Sequence, residues 1–424
     1  MKQNSWKYCT LTGILALVSS CQTLPVERAA VEASHKPKVE FSDEGLQNIQ
    51  AMMETAVADG RIPAAISMLA RDGEIIWLKT AGDMGPGVPM RRDAIFPLAS
   101  VGKMFTATAA MILVERGVIS FDDPVSQYIP EFADIMISVA DDDGDAGREN
   151  TLVAPIRPIT VYHLLTHTSG LTINGDDFWA AWDANVGKTT TAHLARDLAA
   201  LPLQSQPGTQ FDYGPTGAAY EVLGAVIEKA SGQTLEAFMT KNIFEPLGLN
   251  DNSFYVPADK SHRLPAFFSR TEDGTLEIAR AYGEDFSRST FFHGGGGVRS
   301  TPEDIVRFTR LFTEGGSIDG VRILKASTID QMMSDQLGEL APDRWKSIGL
   351  SWGFGAVVRG ASAVAAASPP DQYGWVGGGY VKLWIDPKQN VVAFFAFPME
   401  PPGDNNLLRE FDRLVYAAMS EAQP

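Results

Sequence analysis

Phe96-Pro97-Leu98-Ala99-Ser100-Val101-Gly102-Lys103-Met104-Phe105-Thr106 is the stretch around which this chain of 424 residues is organised. From Met104 to Val114 the sequence is apolar, Ala-rich and free of proline. Arg116-Gly117 closes it, which predicts a helix. Ser100 stands at the N-terminus of that helix, where unpaired backbone N–H groups and the positive end of the dipole favour a developing anion. Lys103 follows three residues later, so the two side chains share a face, one turn apart. An ammonium in that position can meet the serine oxygen. A serine hydroxyl is a poor nucleophile until its proton is taken, and a neighbouring lysine can take or relay it. The same residues also fit a capping serine followed by an exposed lysine, and S-x-x-K occurs by chance in chains this long.

Outward from this stretch the chain alternates in character. Towards the N-terminus, Leu46, Ile49, Met52, Met53 and Val57 recur at helical spacing between Asp43 and Ala58. Ala64–Ala70 and Glu74–Leu78, joined by Arg71-Asp72-Gly73, read as a β-hairpin. From about 120 to 290 the β-rich runs disappear. Tyr162–His167 and Ala218–Ala230 read as helices linked by polar loops. After 290, Thr301-Pro302-Glu303-Asp304 opens a helix, with a threonine cap, proline in the first turn and acids near the N-terminus. Gly353–Val358, Val381–Ile385 and Val391–Phe397 read as strands, with Asp386–Asn390 as the turn between the last two. Leu407–Met419 reads as a terminal amphipathic helix, and Ala361–Pro370 as a loop. These elements predict one α/β domain built from residues 41–119 and 290–424, with a mostly helical domain, 120–289, inserted.

The N-terminus reads as a targeting segment. Lys2 and Lys7 precede a short apolar run, Leu11–Val18, too short to span a bilayer. Val18-Ser19-Ser20-Cys21 resembles a bacterial lipoprotein processing site. The expectation is a signal peptide over 1–20, lipid on Cys21, a tether over 21–40, and an exported protein held to the bacterial envelope facing the periplasm. Ordinary cleavage after a small residue is the alternative. Removing residues 1–20, which carry two lysines and no acid, takes the net charge from −17 to −19. So acidic a chain disfavours nucleic acid and electrostatic binding to anionic membranes. The one other cysteine, Cys9, lies in the removed segment, which leaves the mature fold without a disulfide or thiolate metal site.

A serine nucleophile needs a base and an oxyanion site, and two stretches have that character. Tyr213 lies in Gly208–Gly217, a loop rich in Gly and Pro before a helix. Beside a cation such as Lys103 its phenol would ionise more easily. Tyr373-Gly374-Trp375-Val376-Gly377-Gly378-Gly379-Tyr380 precedes a strand, where glycine lets a substrate approach the backbone and an N–H can meet an oxyanion. A packed loop tyrosine and a glycine bend with a core tryptophan are the plainer alternatives. His163 and His167 have the spacing of a metal pair, yet no Glu completes a metalloprotease motif, and a structural role is preferred. Asp141–Asp145 lacks the glycine and closing glutamate of a calcium loop. No G-x-S-x-G elbow is present, which disfavours an α/β-hydrolase triad. No metal and no cofactor is expected.

Together, Ser100-Val101-Gly102-Lys103, the Tyr213-Gly214-Pro215 motif and the Gly-rich third motif resemble the serine β-lactamase/penicillin-binding fold. Phe121–Val125, Ile159–Leu171 and Gly294–Thr301 agree with the class C β-lactamase-related serine hydrolases, over residues 43 to 420. The resemblance implies an antiparallel sheet flanked by helices with an inserted all-α domain. It implies Ser100 as the acylated nucleophile, Lys103 and Tyr213 as the shared base, and the N–H groups of Ser100 and Gly378 as the oxyanion hole. Two departures matter. The second motif ends in Pro215, where the family often has Asn. The third begins with Trp375, where β-lactamases and peptidases usually have Lys or His. Trp-x-Gly is similar to the family VIII carboxylesterases. A cation there would bind the carboxylate of a β-lactam or peptide, whereas an indole offers an apolar face suited to a neutral ester. Trp375, Gly377 and Pro215 are therefore expected to contact a small-molecule substrate. A carboxylesterase is the first reading. A β-lactamase or D,D-peptidase is the second, and an inactive lipid-anchored binding protein of the same fold is the third.

Overall fold

The computed structural model describes residues 39–421 except 140–149, 172–174, 186–187, 215–216, 284–290, 361–371, 379 and 401–402. The export segment with Cys21, the acidic loop at Asp141, the Ala361–Pro370 loop and Pro215 lie outside the described residues. Eight described strands form one antiparallel sheet: β1 Ala64–Arg71, β2 Glu74–Gly85, β3 Val88–Pro89, β4 Leu350–Trp352, β5 Val357–Arg359, β6 Tyr373–Gly377, β7 Val381–Asp386 and β8 Val391–Ala396. Their spatial order is β4-β5-β6-β7-β8-β1-β2-β3, so the N-terminal hairpin and the C-terminal strands meet at β8 and β1.

The sheet is covered on both faces, and the strand sequences explain why. Every residue of β8, Val-Val-Ala-Phe-Phe-Ala, is buried, as expected for a strand between two layers. Successive side chains point to opposite faces. Leu383, Phe394 and Met68 stand side by side across β7, β8 and β1 and join the larger core. Phe395, the next residue of β8, joins a second core with α1 Asp43–Ala58 and, at the far end of the chain, the helix Asn405–Ala418. Gly45 is where these two terminal helices touch, since a Cβ there would lie 2.3 Å from the Ala418 Cβ.

The opposite face carries α2 Lys103–Glu115, in which every residue from Lys103 to Leu113 is buried. A helix that is apolar all round belongs inside the protein, and this one packs among the sheet, α3 Val161–Leu165, α4 Ala218–Ser231 and α5 Pro302–Thr313. The Thr301 cap holds α5 as expected, its hydroxyl accepting the Asp304 N–H. Burying α2 fixes its first residue, Lys103, in the middle of the molecule.

Three readings of the sequence need revision. The stretch 120–290 is not free of strands, because Ile137–Val139 pairs with Thr151–Val153 and Phe267–Arg270 with Leu276–Arg280. Their strands are three to five residues long and lack a long alternating pattern. Gly353–Val358 is not one strand. Its first residues are the tight turn of the β4–β5 hairpin, with Gly355 at φ 97° and a space only 3.0 Å from the Lys103 carbonyl oxygen for any Cβ. Tyr373–Gly377, read only as a glycine stretch before a strand, is itself strand β6, paired along its length with β7.

Candidate active site

Ser100 sits just before α2, in a single 3-10 turn, Ala99–Gly102. Ala99 has φ 46°, a left-handed conformation that costs free energy for a residue with a Cβ. Two glycine motifs close on that turn from different parts of the chain. A Cβ on Gly296 would lie 2.8 Å from the Ala99 carbonyl carbon, and one on Gly377 2.3 Å from the Leu98 carbonyl oxygen. Any larger residue would push the serine turn out of place. Gly377 thus reaches the Ser100 turn through its backbone. Gly378, whose N–H was expected to meet an oxyanion, is the exposed residue that follows it at the end of β6.

Lys103 is only 2% exposed. Its ammonium donates to Ser100 Oγ at 3.1 Å and to the Gly295 carbonyl at 2.8 Å. The same nitrogen stands 5.1 Å from the centre of the Tyr213 ring and 5.7 Å from that of Tyr220. Ser100, Lys103 and Tyr213, 113 positions apart in sequence at the extremes, are therefore brought into one cluster. Burial alone would raise the Tyr213 phenol. The Lys103 charge and hydrogen bonds with Ser100, Lys103 and Trp375 outweigh it, and the phenol falls below its ordinary value. The site can therefore hold a phenolate beside an ammonium, both in reach of a serine hydroxyl.

Trp375 lies beside this cluster, with its ring 5.3 Å from Tyr213 and 5.3 Å from Trp352. Its indole N–H donates to the Tyr213 oxygen at 3.0 Å. The sequence reading gave this residue an apolar face only. The donor that the structure adds acts on the tyrosine rather than on a substrate.

The two histidines of the 159–171 motif separate. His163 Nδ1 accepts the Thr160 N–H in a capping box that starts α3. His167 follows the helix at φ 54°, buried, with its ring 4.7 Å from Tyr213, 5.0 Å from Tyr220 and 5.0 Å from Trp352. Its carbonyl accepts the Asp212 N–H at 2.9 Å, which ties down the Tyr213 loop. Burial, and then the Lys103 charge, push His167 far below the usual imidazole range, so it is neutral.

Sequence reasoning missed one group altogether. Glu221, on the first turn of α4, is fully buried. Its two oxygens accept the N–H groups of Gly295 at 2.9 Å and Gly294 at 3.1 Å, and it contacts His293 Nδ1. A lone acid in the apolar run Ala218–Ile227 was the available signal.

Comparison with known proteins identifies the family. The family model described as Beta-lactamase matches residues 48–417. Esterase EstB of Burkholderia gladioli is 31% identical over 373 residues, covering 80% of this chain and 86% of its own. The lovastatin esterase of Penicillium rubens is 29% identical over 388 residues, covering 85% of this chain and 94% of its own. Among solved structures, EstCE1, a hydrolase with promiscuous acyltransferase activity, superposes with a TM-score of 0.71 at 24% identity, covering 88% of this chain and 99% of that one. This last likeness bears on the fold, which is the one the motifs implied. With the family match spanning most of the described residues, the chain belongs to the Beta-lactamase family and is a β-lactamase-related serine hydrolase.

Proposed function

We propose that the protein cleaves carboxylic esters through an acyl-enzyme on Ser100. The observation that carries this reading is the buried Lys103 ammonium, which donates to Ser100 Oγ while standing over the Tyr213 ring. In the first half-reaction the serine oxygen attacks the ester carbonyl, and its proton passes to the Tyr213–Lys103 pair. The tetrahedral oxyanion is met by the N–H groups of Ser100 and Gly378. Collapse breaks the ester C–O bond, and the proton goes to the departing alcohol. Water then attacks the acyl-serine, giving up a proton to the same pair, and the acid leaves. Two observations favour esters over β-lactams. Trp375 stands where a carboxylate-binding cation would be expected, and the relatives from Burkholderia and Penicillium are named esterases.

The test is a fluorophosphonate label on Ser100, combined with turnover of p-nitrophenyl esters of rising acyl length and of a chromogenic cephalosporin. The reading expects label on Ser100, ester turnover, and loss of both in Ser100→Ala. Efficient cephalosporin hydrolysis with no ester turnover would replace it with the β-lactamase reading. An unlabelled Ser100 would remove it. We also propose that Cys21 carries lipid and holds the enzyme to the bacterial envelope. This rests on the Val18–Cys21 motif alone.

A further inference from the structure

We propose that Glu221 is a positioning residue for the Ser100–Lys103 pair, an inference that rests on the reading of Ser100 as the nucleophile. The peptide run Gly294–Gly295 links the two. Its N–H groups donate to the Glu221 carboxylate at 3.1 Å and 2.9 Å. Its carbonyls accept from Thr106 Oγ1 at 2.6 Å and from Lys103 Nζ at 2.8 Å. The Gly294–Gly295 peptide has the carboxylate on its N–H and the Thr106 hydroxyl on its C=O, and the next carbonyl, that of Gly295, takes the ammonium; hydrogen bonds to charged groups are the strong ones. Glu221 thereby fixes where the Gly295 carbonyl points, and the carbonyl fixes the ammonium against Ser100 Oγ.

The glycines are what bring the two charges close. A Cβ on Gly295 would lie 2.5 Å from Glu221 Oε1 and 3.5 Å from Lys103 Nζ. The carboxylate oxygen and the ammonium therefore stand no more than about 6 Å apart, the sum of those distances. A Cβ on Gly294 would meet the Tyr220 carbonyl oxygen at 2.3 Å, so the run lies flat on the start of α4. A fully buried carboxylate is costly to keep unless it is hydrogen-bonded and paired. Glu221 has both backbone donors, the first turn of its own helix and the nearby ammonium. On its outer side it meets His293, whose ring packs 4.7 Å from Trp182. Tyr213, Tyr220 and His167 also lie around Lys103, and His293 reaches the same Gly295 position from the other side.

The experiment compares wild type with Glu221→Gln, which keeps the shape and removes the charge. Fluorophosphonate labelling gives the maximal labelling rate and the half-saturating concentration separately, and each is followed against pH. The labelling rate should fall about 10- to 100-fold with the half-saturating concentration unchanged. The acid limb of the rate, set by Tyr213, should move to lower pH, because an anion near the Tyr213–Lys103 pair is gone. A merely structural role would lower the rate without moving that limb, and such a result overturns the proposal. So does a folded Glu221→Gln variant with wild-type rates. If Glu221→Gln does not fold by thermal melt, Thr106→Val releases the same peptide from its other side. It should slow labelling several-fold at unchanged half-saturation, and wild-type labelling would overturn the proposal. Absence of label on Ser100 in the wild type overturns the nucleophile reading, and this inference with it. A labelled wild type beside an indifferent Glu221→Gln overturns this inference alone.

Discussion

Replacing Trp375 by phenylalanine isolates one hydrogen bond. The variant keeps an aryl ring in the space beside Tyr213 and Trp352 and removes the indole N–H that donates to the Tyr213 oxygen at 3.0 Å. A hydrogen bond to a charged group contributes roughly 1.5–3 kcal/mol, and 1.36 kcal/mol corresponds to about one pH unit. The neutral phenol oxygen also accepts this N–H, so part of the effect cancels and a shift of about one unit is expected. The sign follows from the chemistry. The donor favours phenolate, so its loss raises the Tyr213 phenol and moves the acid limb of kcat/KM to higher pH. Below that limb, ester turnover should fall about tenfold, and well above it wild-type turnover should return. The assay is kcat/KM for a short-chain p-nitrophenyl ester across the acid limb. An unmoved limb with unchanged turnover would mean that Tyr213 does not feel the indole. A loss equal at every pH would mean that Trp375 acts through packing alone.

Lys103→Ala and Tyr213→Phe should each lower kcat by several orders of magnitude, and the double variant should lose little more. Additive losses in that cycle would argue for separate roles. Asp304, on the first turn of α5, is pushed up to about 6, chiefly by burial, although it accepts the Asp251 N–H at 2.7 Å. Because the folded protein holds this proton more tightly than the unfolded chain, Asp304 costs stability as pH rises from about 4 to above 6. Asp304→Asn should therefore gain stability relative to wild type over that range, by up to about 3 kcal/mol, in chemical denaturation at several pH values; a parallel pH dependence would refute this. Cys21→Ser should leave the protein unprocessed or released from membranes on fractionation, and a matured variant that fractionates as wild type would remove the lipidation proposal.

Much of the molecule was legible because local chemistry decides it. The Asp43–Ala58 helix, the hairpin at Asp72-Gly73, the Thr301-Pro302 start of α5 and the strands on either side of Asp386–Asn390 are all written in periodicity, capping and turn residues. The order of the Ser100, Tyr213 and Trp375 motifs was enough to imply the family. The short hairpins between 137 and 280 were not legible, because three to five residues carry too little pattern to stand out. Nor was Tyr373–Gly377 as a strand, since its glycines read as a bend until β7 is set beside it.

By itself, then, the sequence determined which residues could do acyl transfer, since S-x-x-K spacing on one helical face follows from backbone geometry alone. Only the tertiary structure decided what each of them touches. The left-handed Ala99, the approach of Gly296 and Gly377 to the serine turn, the indole N–H on Tyr213 and the carboxylate of Glu221 behind Gly295 are contacts across 70 to nearly 280 positions of chain or strains imposed by them. No local rule encodes such contacts. They exist because the buried α2 helix holds Lys103 at the centre of the molecule and the two glycine-rich segments have no side chains to keep them away.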